Sequence, residues 1–310
     1  MADRSSDAQT STGLPRVLMI TGIPEIARPL VESFREGMRQ SGQVEGQTFH
    51  FEVQYGSDAA RLPALLREGV AQRPAVLVVT GLSAARHARD VTTTVPVVVA
   101  TASDLVDAGV VKSLAHPGGN ITGVSDSTDG TTIKRFELLK AALPAASRVV
   151  LLVNPDFPAT ARIEARVQSA ASSLKISVMR LYARDDASLA LALDSMREAR
   201  PDAVLVGGDP LFNRYAGEII DAALAVGVPV FHYWPGTAER GALLSFQVDQ
   251  QENFRRAAGY VDKILKGAKP GDLPIHQPTR FELVVNAKVA RALGITLPQD
   301  VLVRAERIID

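Results

Sequence analysis

The chain has 310 residues, 46% of them apolar, with 34 basic side chains balanced by 34 acidic ones. That length and apolar content exclude general disorder and favour two lobes over one, and a formal charge of zero leaves no basic surplus for a nucleic-acid partner. The absence of cysteine excludes disulfides, thiolate metal sites, cysteine nucleophiles and a cysteine for lipid anchoring.

Residues 1–13 are small and polar, without the apolar core of a signal peptide, and read as a disordered leader. From Arg16 onward, short β-branched runs alternate with segments of helical period, the pattern of strands joined by crossover helices in a mainly parallel sheet. Strands are predicted over 17–21, 49–54, 75–80, 95–100, 149–153, 176–181, 203–207 and 228–233. Most are apolar on both faces, as strands covered by helices on both sides must be. Leu30, Phe34 and Met38 share one helical face, as do Ile133, Phe136 and Leu143, and later Phe254, Val261 and Leu265. No apolar run approaches the roughly 20 residues of a membrane-spanning helix.

The order of parts occurs twice. RVLMI at 16–20 is answered by RVVLL at 148–152, RPAVLV at 73–78 by RPDAVL at 200–205, and VPVV at 95–98 by VPVF at 228–231. The spacings are 132 (16 to 148), 127 (73 to 200) and 133 (95 to 228) residues. Two similar doubly wound α/β lobes follow. A short strand at 242–247, a helix from about 250 to 266, a Pro/Gly-rich stretch at 267–278 and a last unit, 281–285 plus 287–293, come after the second set. The helix exceeds what the second lobe needs, so the chain is expected to cross back and return. Lobe 1 is then 14–122 plus 248–278 and lobe 2 is 123–247 plus 279–310, joined by a three-segment hinge that permits closure over a ligand.

In open parallel sheets, ligands lie beyond the carboxyl ends of the strands, where loop amides and helix N-termini converge. Lobe 1 offers Gly22, Ile23 and Pro24, then Thr80, Gly81 and Ser83, then Thr101, Ser103 and Asp104, with Ser125 at the junction. Lobe 2 offers Asn154 and Asp156, then Asp209, Pro210 and Leu211, then Tyr233 and Trp234, with Phe246 on the following strand. Hydroxyls beside free amides suit a carboxylate, Asp104 or Asp209 an ammonium group, and the aromatic side chains an apolar body. That set would hold an amino acid. The same Ser, Thr, Asn and Asp residues also suit ordinary helix caps and turns, and Trp234 a packed loop.

Enzymatic signatures are absent. No dinucleotide fingerprint, phosphate-cradling loop or nucleophile elbow occurs, and the five histidines show no metal-ligand spacing. No catalytic residue, metal or cofactor is expected. Asp185 and Asp186 suit the N-terminus of a helix starting near Ser188, and HPGGN at 116–120 a tight connection into the next strand.

Several stretches also carry a family resemblance: FREGM at 34–38, LAHPGGNITG at 114–123, KRFELLK at 134–140, DPLF at 209–212, YVDKILKGAKP at 260–270 and QPTRFELVVN at 277–286. Across nearly all of 16–309 the chain resembles the TrpX-like family of ABC-transporter substrate-binding proteins, which have the type I periplasmic binding-protein fold. The resemblance implies an exported, monomeric protein that captures a small organic solute, an amino acid and in some members an aromatic one, and delivers it to a permease driven by an ATPase. A sensor feeding a signalling partner and a two-lobed nucleotide-sugar transferase are the competing readings. Two departures stand out: the polar start in place of a leader peptide, and Asp104-Leu105 where relatives commonly have Asp-Pro.

Overall fold

The computed structural model describes residues 13–22, 24–56, 61–125, 128–157, 159–234 and 236–310. In chain order the elements are β1 (Arg16–Thr21), α1 (Pro24–Gln40), β2 (His50–Tyr55), α2 (Leu62–Ala71), β3 (Val76–Thr80), α3 (Leu82–Val91), β4 (Val97–Thr101), β5 (Ile121–Gly123), α4 (Thr128–Ala142), β6 (Arg148–Val153), α5 (Thr160–Leu174) and β7 (Ser177–Tyr182). They continue with α6 (Asp186–Ala199), β8 (Ala203–Val206), α7 (Pro210–Arg214), α8 (Ala216–Leu224), β9 (Val230–His232), α9 (Thr237–Arg240), β10 (Leu244–Val248), α10 (Gln250–Leu265), β11 (Phe281–Asn286), α11 (Ala287–Ala292), α12 (Gln299–Val303) and β12 (Arg307–Ile309). No helix among the described residues is long and apolar enough to cross a membrane.

The chain forms two compact units, residues 1–125 with 250–277 and residues 126–249 with 278–310. The first junction falls after Ser125 because β5 pairs with β4, and Val124 bridges His276 of the same unit. The leader at 1–12 lies outside the described residues.

Unit 1 carries a five-stranded parallel sheet in the order β2-β1-β3-β4-β5. Alternation along its central strands sends Leu18, Ile20, Leu77 and Val79 to one face, packed with Leu66 of α2 and Ala84, Ala85 and Ala88 of α3. Val17, Met19, Val76 and Val78 turn to the other face and meet Phe34 and Met38 of α1 and Phe254, Ala258 and Val261 of α10. Both faces are dry, which explains why these strands read as continuous apolar runs.

Unit 2 repeats the arrangement. Its sheet runs β12-β11-β10-β9-β8-β6-β7, antiparallel only at β10–β11. The five-strand order β7-β6-β8-β9-β10 matches β2-β1-β3-β4-β5 position for position. Hydrogen bonds repeat as well: Ala75 N–H donates to Arg16 C=O as Asp202 N–H does to Arg148 C=O, at 2.8 Å each. Val149, Leu151 and Val153 pack with Phe136 and Leu139 of α4 and Ile163 and Val167 of α5. Val150 and Leu152 face Leu189 and Leu193 of α6 and Ile219 and Ile220 of α8.

The duplication includes an exchange of helices. α4 follows β5, the last strand of the unit 1 sheet, yet packs beside α5 in unit 2; α10 follows β10 yet packs beside α1 in unit 1. The apolar stripe of α10 is buried against Phe34 and Met38 of α1. α12 and β12 were not foreseen, and β5 was implied only as the strand after 116–120, without a range. Each is three to five residues long, too short for periodicity to register. α6 begins two residues earlier than expected, and Asp185 and Ser188 form a capping box: Asp185 Oδ1 accepts from Ser188 N–H at 2.8 Å, and Ser188 Oγ from Asp185 N–H at 3.1 Å. The 116–120 segment is a tight connection into β5, with Asn120 Nδ2 donating to the carbonyls of Thr92 and Val95.

Gly123 and Gly37 each set a close approach between elements. At Gly123, φ is 134° and a Cβ would stand 2.1 Å from the Val99 carbonyl oxygen, so only glycine lets β5 lie against β4. At Gly37 on α1, a Cβ would lie 2.6 Å from the Arg255 carbonyl oxygen and 2.8 Å from Ala258 Cβ on α10. Gly259, on α10 itself, has open space. Urea denaturation of the Gly37→Ala variant should show a loss of about 1–3 kcal/mol from overpacking, whereas Gly259→Ala should gain roughly 0.5–1 kcal/mol from helix propensity. Equal effects at the two sites would contradict the close α1–α10 packing.

Candidate functional site

In each unit the parallel strands deliver their carboxyl ends to one edge, and most of the sequence-predicted site residues lie there. In unit 1, Gly22 follows β1 and Pro24 opens α1, while Ile23 lies outside the described residues. Thr80 ends β3, and its hydroxyl donates to Thr21 Oγ1 at 3.2 Å. Gly81 caps α3 with φ 86°, its N–H donating to the carbonyl of Thr101, the last residue of β4, at 2.7 Å. Ser83 is exposed on the first turn of α3. The ends of β1, β3 and β4 are thus linked, as the strand order requires.

Ser103 and Asp104 follow β4, half-buried, and Asp104 adopts a left-handed φ of 56°, which Asp tolerates better than most residues. The Leu105 N–H donates to Ser125 Oγ at 3.2 Å. Proline has no such donor, so the Asp104-Leu105 departure from Asp-Pro adds a backbone tie to the segment carrying Ser125. Ser125, 2% exposed and with its N–H donating to the His276 carbonyl at 2.9 Å, is part of the packed structure.

Unit 2 is more elaborate. Asp209 follows β8, is 8% exposed and caps α7: Oδ1 accepts from Leu211 N–H at 2.9 Å, and Oδ2 from Asn154 Nδ2 at 3.0 Å. Asn154 in turn accepts from Asp156 N–H at 3.0 Å. For Asp209 and Asn154 the capping and turn roles foreseen as alternatives are therefore real, and they aim the two side chains at each other. The Tyr233 hydroxyl donates to the Asp209 carbonyl at 2.7 Å and accepts from its N–H at 3.0 Å, gripping both backbone groups of one residue. Burial raises the Asp209 carboxyl, against the lowering effect of Leu211 N–H and Asn154, while Asp156 adds to the rise. Burial also raises the Tyr233 hydroxyl, which keeps its proton to donate.

Beside this grip stands a row of rings. His232 stacks on Tyr233 with centroids 5.1 Å apart, and Tyr233 meets half-buried Trp234 edge to face at 6.2 Å. Trp234 N–H donates to His232 Nδ1 at 3.0 Å, which places the proton of the neutral ring on Nε2. Pro210 and Leu211 start α7 in the same loop. Phe246 is not part of this group. It is 7% exposed, on β10, stacked on Phe281 at 5.3 Å within the unit 2 core, and its predicted ligand role gives way to packing. Asp156 is exposed and pairs with Arg184 at 3.8 Å.

Sequence reasoning gave no role to Arg135, nor to His232, which it read only as part of the loop with Tyr233 and Trp234. Arg135, 0% exposed on α4, donates to the Val206 carbonyl at 2.5 Å and to Thr132 Oγ1 at 2.9 Å, and its Cζ lies 5.4 Å from the Tyr233 ring centroid. The available signal was periodicity: Thr132, Arg135, Phe136 and Leu139 fall on one helical face, and a charged residue inside a core stripe needs a reason. The five histidines were weighed for chemistry only as metal ligands, a test blind to a structural histidine such as His232. Among the described residues no group of three or more His, Cys, Asp or Glu side chains could hold a metal ion. A groove of about 500 Å³ between α6 and α8, lined by residues such as Leu189, Asp194 and Tyr215, includes none of the candidate residues.

The two repeated, mainly parallel sheets with helices on both faces define the type I periplasmic binding-protein class of fold. A family model described as ABC transporter substrate binding protein matches residues 27–309, and the chain belongs to that family, in keeping with the resemblance carried by its motifs. Among curated proteins it is similar to a tyrosine-binding protein of Clostridioides difficile, 23% identical over 272 residues, covering 85% of this chain and 76% of the relative. Among solved structures it is similar to a conserved domain protein of Vibrio cholerae, with TM-score 0.86, 27% identity and coverage of 96% of this chain and 100% of the other. It also shares its fold with an ABC domain of Streptococcus pneumoniae in complex with L-Trp, with TM-score 0.86, 23% identity and the same coverage. The family consists of substrate-binding proteins that serve ABC transporters; this supports transport over the sensing and transferase readings.

His232 generates a pH prediction. Burial first, then the neighbouring Arg135, pull it down to about 3 from 6.5. A depressed folded value means that the unfolded chain binds the extra proton, so the stability contributed by this site is complete above about pH 6.5 and is lost as pH falls towards 3, at about 1.4 kcal/mol per pH unit. The His232→Asn variant, whose Oδ1 can still accept from Trp234 N–H, should be less stable than wild type at pH 7.5 but show a shallower loss between pH 6.5 and 4 in denaturant titrations. Parallel curves would contradict the assignment.

Proposed function

We propose that this substrate-binding protein takes a free amino acid, with an aromatic side chain preferred, and presents it to the membrane permease of an ATP-driven importer. The observation that supports this most directly is the Asp209 carboxylate: nearly buried, fixed in direction by Leu211 N–H and Asn154, and adjoined by the Tyr233–Trp234 ring pair. A carboxylate so held suits an ammonium group, since its orientation is settled before the ligand arrives. Rings beside it suit a flat apolar body. Taken by itself, unit 1 carries Thr80, Thr101 and Ser103 at its strand ends, hydroxyls of the kind that suit a carboxylate. The relatives from Clostridioides difficile and Streptococcus pneumoniae, described as tyrosine-binding and in complex with L-Trp, agree with that chemistry. In this reading the protein works outside the cytoplasm as a monomer and returns its ligand unchanged.

Mass spectrometry of ligand released from the purified protein, with thermal-shift screening of the twenty amino acids and of nucleotide sugars, tests the reading. An intact amino acid should be recovered, and L-tyrosine, L-tryptophan or L-phenylalanine should raise Tm by several degrees at millimolar concentration, as ligands that bind only the folded state do. Stabilisation by a nucleotide sugar alone would overturn it.

A further inference from the structure

We propose that Arg135 is a positioning residue for Asp209, acting through the Tyr233 ring, and that it thereby sets the preference of the unit 2 loops for a ligand bearing an ammonium group. This rests on the reading that those loops bind an amino acid.

The starting point is a charge in an expensive place. The guanidinium of Arg135 has no accessible surface, and among the described residues no carboxylate pairs with it. Burial pulls it down to about 9, so it remains a cation at neutral pH. A buried charge without a counter-ion is unfavourable by several kcal/mol before compensation. Its two hydrogen bonds, to the Val206 carbonyl and to Thr132 Oγ1, ask only for N–H donors, which a glutamine amide supplies without the charge. The remaining contact is different in kind: Cζ stands 5.4 Å from the Tyr233 ring centroid, and attraction between a cation and a ring face strengthens where both are desolvated. That contact requires the charge.

Tyr233 passes the constraint on. One hydroxyl grips the N–H and the C=O of Asp209, so a small rotation of the ring loosens both bonds. The Asp209 backbone in turn aims the carboxylate that Leu211 N–H and Asn154 hold. Arg135 also donates to the last residue of β8, three positions before Asp209. One side chain of α4 therefore fixes both the strand leading into the Asp209 loop and the ring that holds it. Because the ligand ammonium is the group read by Asp209, misplacing this carboxylate costs ammonium-bearing ligands most.

The test compares whichever of L-tyrosine and L-tryptophan binds wild type with the corresponding propionate lacking the amino group, 3-(4-hydroxyphenyl)propionate or indole-3-propionate, by calorimetric titration. Arg135→Gln should weaken the amino acid by about tenfold or more, equivalent to about 1.4 kcal/mol, while changing the propionate by less than about threefold. Arg135→Lys should recover part of the loss, and Arg135→Gln combined with Asp209→Asn should bind the amino acid no more weakly than Asp209→Asn alone. Tyr233→Phe, which keeps the ring and drops the hydroxyl, should show the same selective loss and keeps the test open if Arg135→Gln does not fold. Equal weakening of both ligands, unchanged binding or tighter amino-acid binding would overturn the proposal with the amino-acid reading intact. A wild-type protein that binds none of these amino acids would remove both.

Discussion

Parallel pairing is the constraint on which the rest of this structure depends. A strand that must run beside its neighbour in the same direction cannot return through a tight turn, so each connection becomes a crossover helix. All carboxyl ends then collect on one edge of the sheet. In unit 1 that edge gathers the ends of β1, β3 and β4, with Thr80 reaching Thr21 and Gly81 reaching Thr101. In unit 2 it gathers the ends of β6, β8 and β9, where Asn154, Asp209 and Tyr233 meet although they are far apart in sequence. Dry faces and polar ends follow from the same geometry.

The exchange of α4 and α10 extends that logic. Each unit's sheet has two faces to cover, and each takes one covering helix from the chain that leaves the other sheet, α4 after β5 and α10 after β10. On the α1–α10 side, Gly37 lets the two backbones approach closely. On the α4–α5 side the core contains Arg135, a buried charge whose guanidinium lies 5.4 Å from the Tyr233 ring centroid. An apolar helix face would serve packing alone; the guanidinium reaching Val206 and Tyr233 is what links core to loop.

Much of this was legible in the sequence because it rests on short-range patterns repeated over long stretches. Doubly apolar strands, helical stripes and the doubled words at 16 and 148, 73 and 200, and 95 and 228 indicated the architecture. What escaped detection or received no range lacked such a pattern. β5 and β12, at three residues each, exist because a neighbouring strand offers them hydrogen bonds. Among the site residues, Asn154, Asp209, Tyr233 and Trp234 could be proposed from their place after strands, but the grip of Tyr233 on Asp209 is tertiary and has no sequence signature. Phe246 shows the opposite error: an aromatic residue near a strand end was credited to the ligand, whereas stacking on Phe281 assigns it to the core. Arg135 was quoted within a motif without a role, since a single charge in an apolar stripe reveals its purpose only when its partners are known.

In the proposed function, a pre-aimed carboxylate at Asp209 reads the ammonium group of an amino acid. Calorimetric titration of L-tyrosine and L-tryptophan into wild type and the isosteric Asp209→Asn variant tests this most directly. Asparagine keeps the size of the side chain and an oxygen for the cap while removing its charge. Saturable binding to wild type by at least one of the two amino acids is expected, with a loss of about a hundredfold in the variant and a melting temperature lower by a few degrees, since the new amide cannot accept from Asn154 Nδ2. Equal affinity in the two proteins would contradict it.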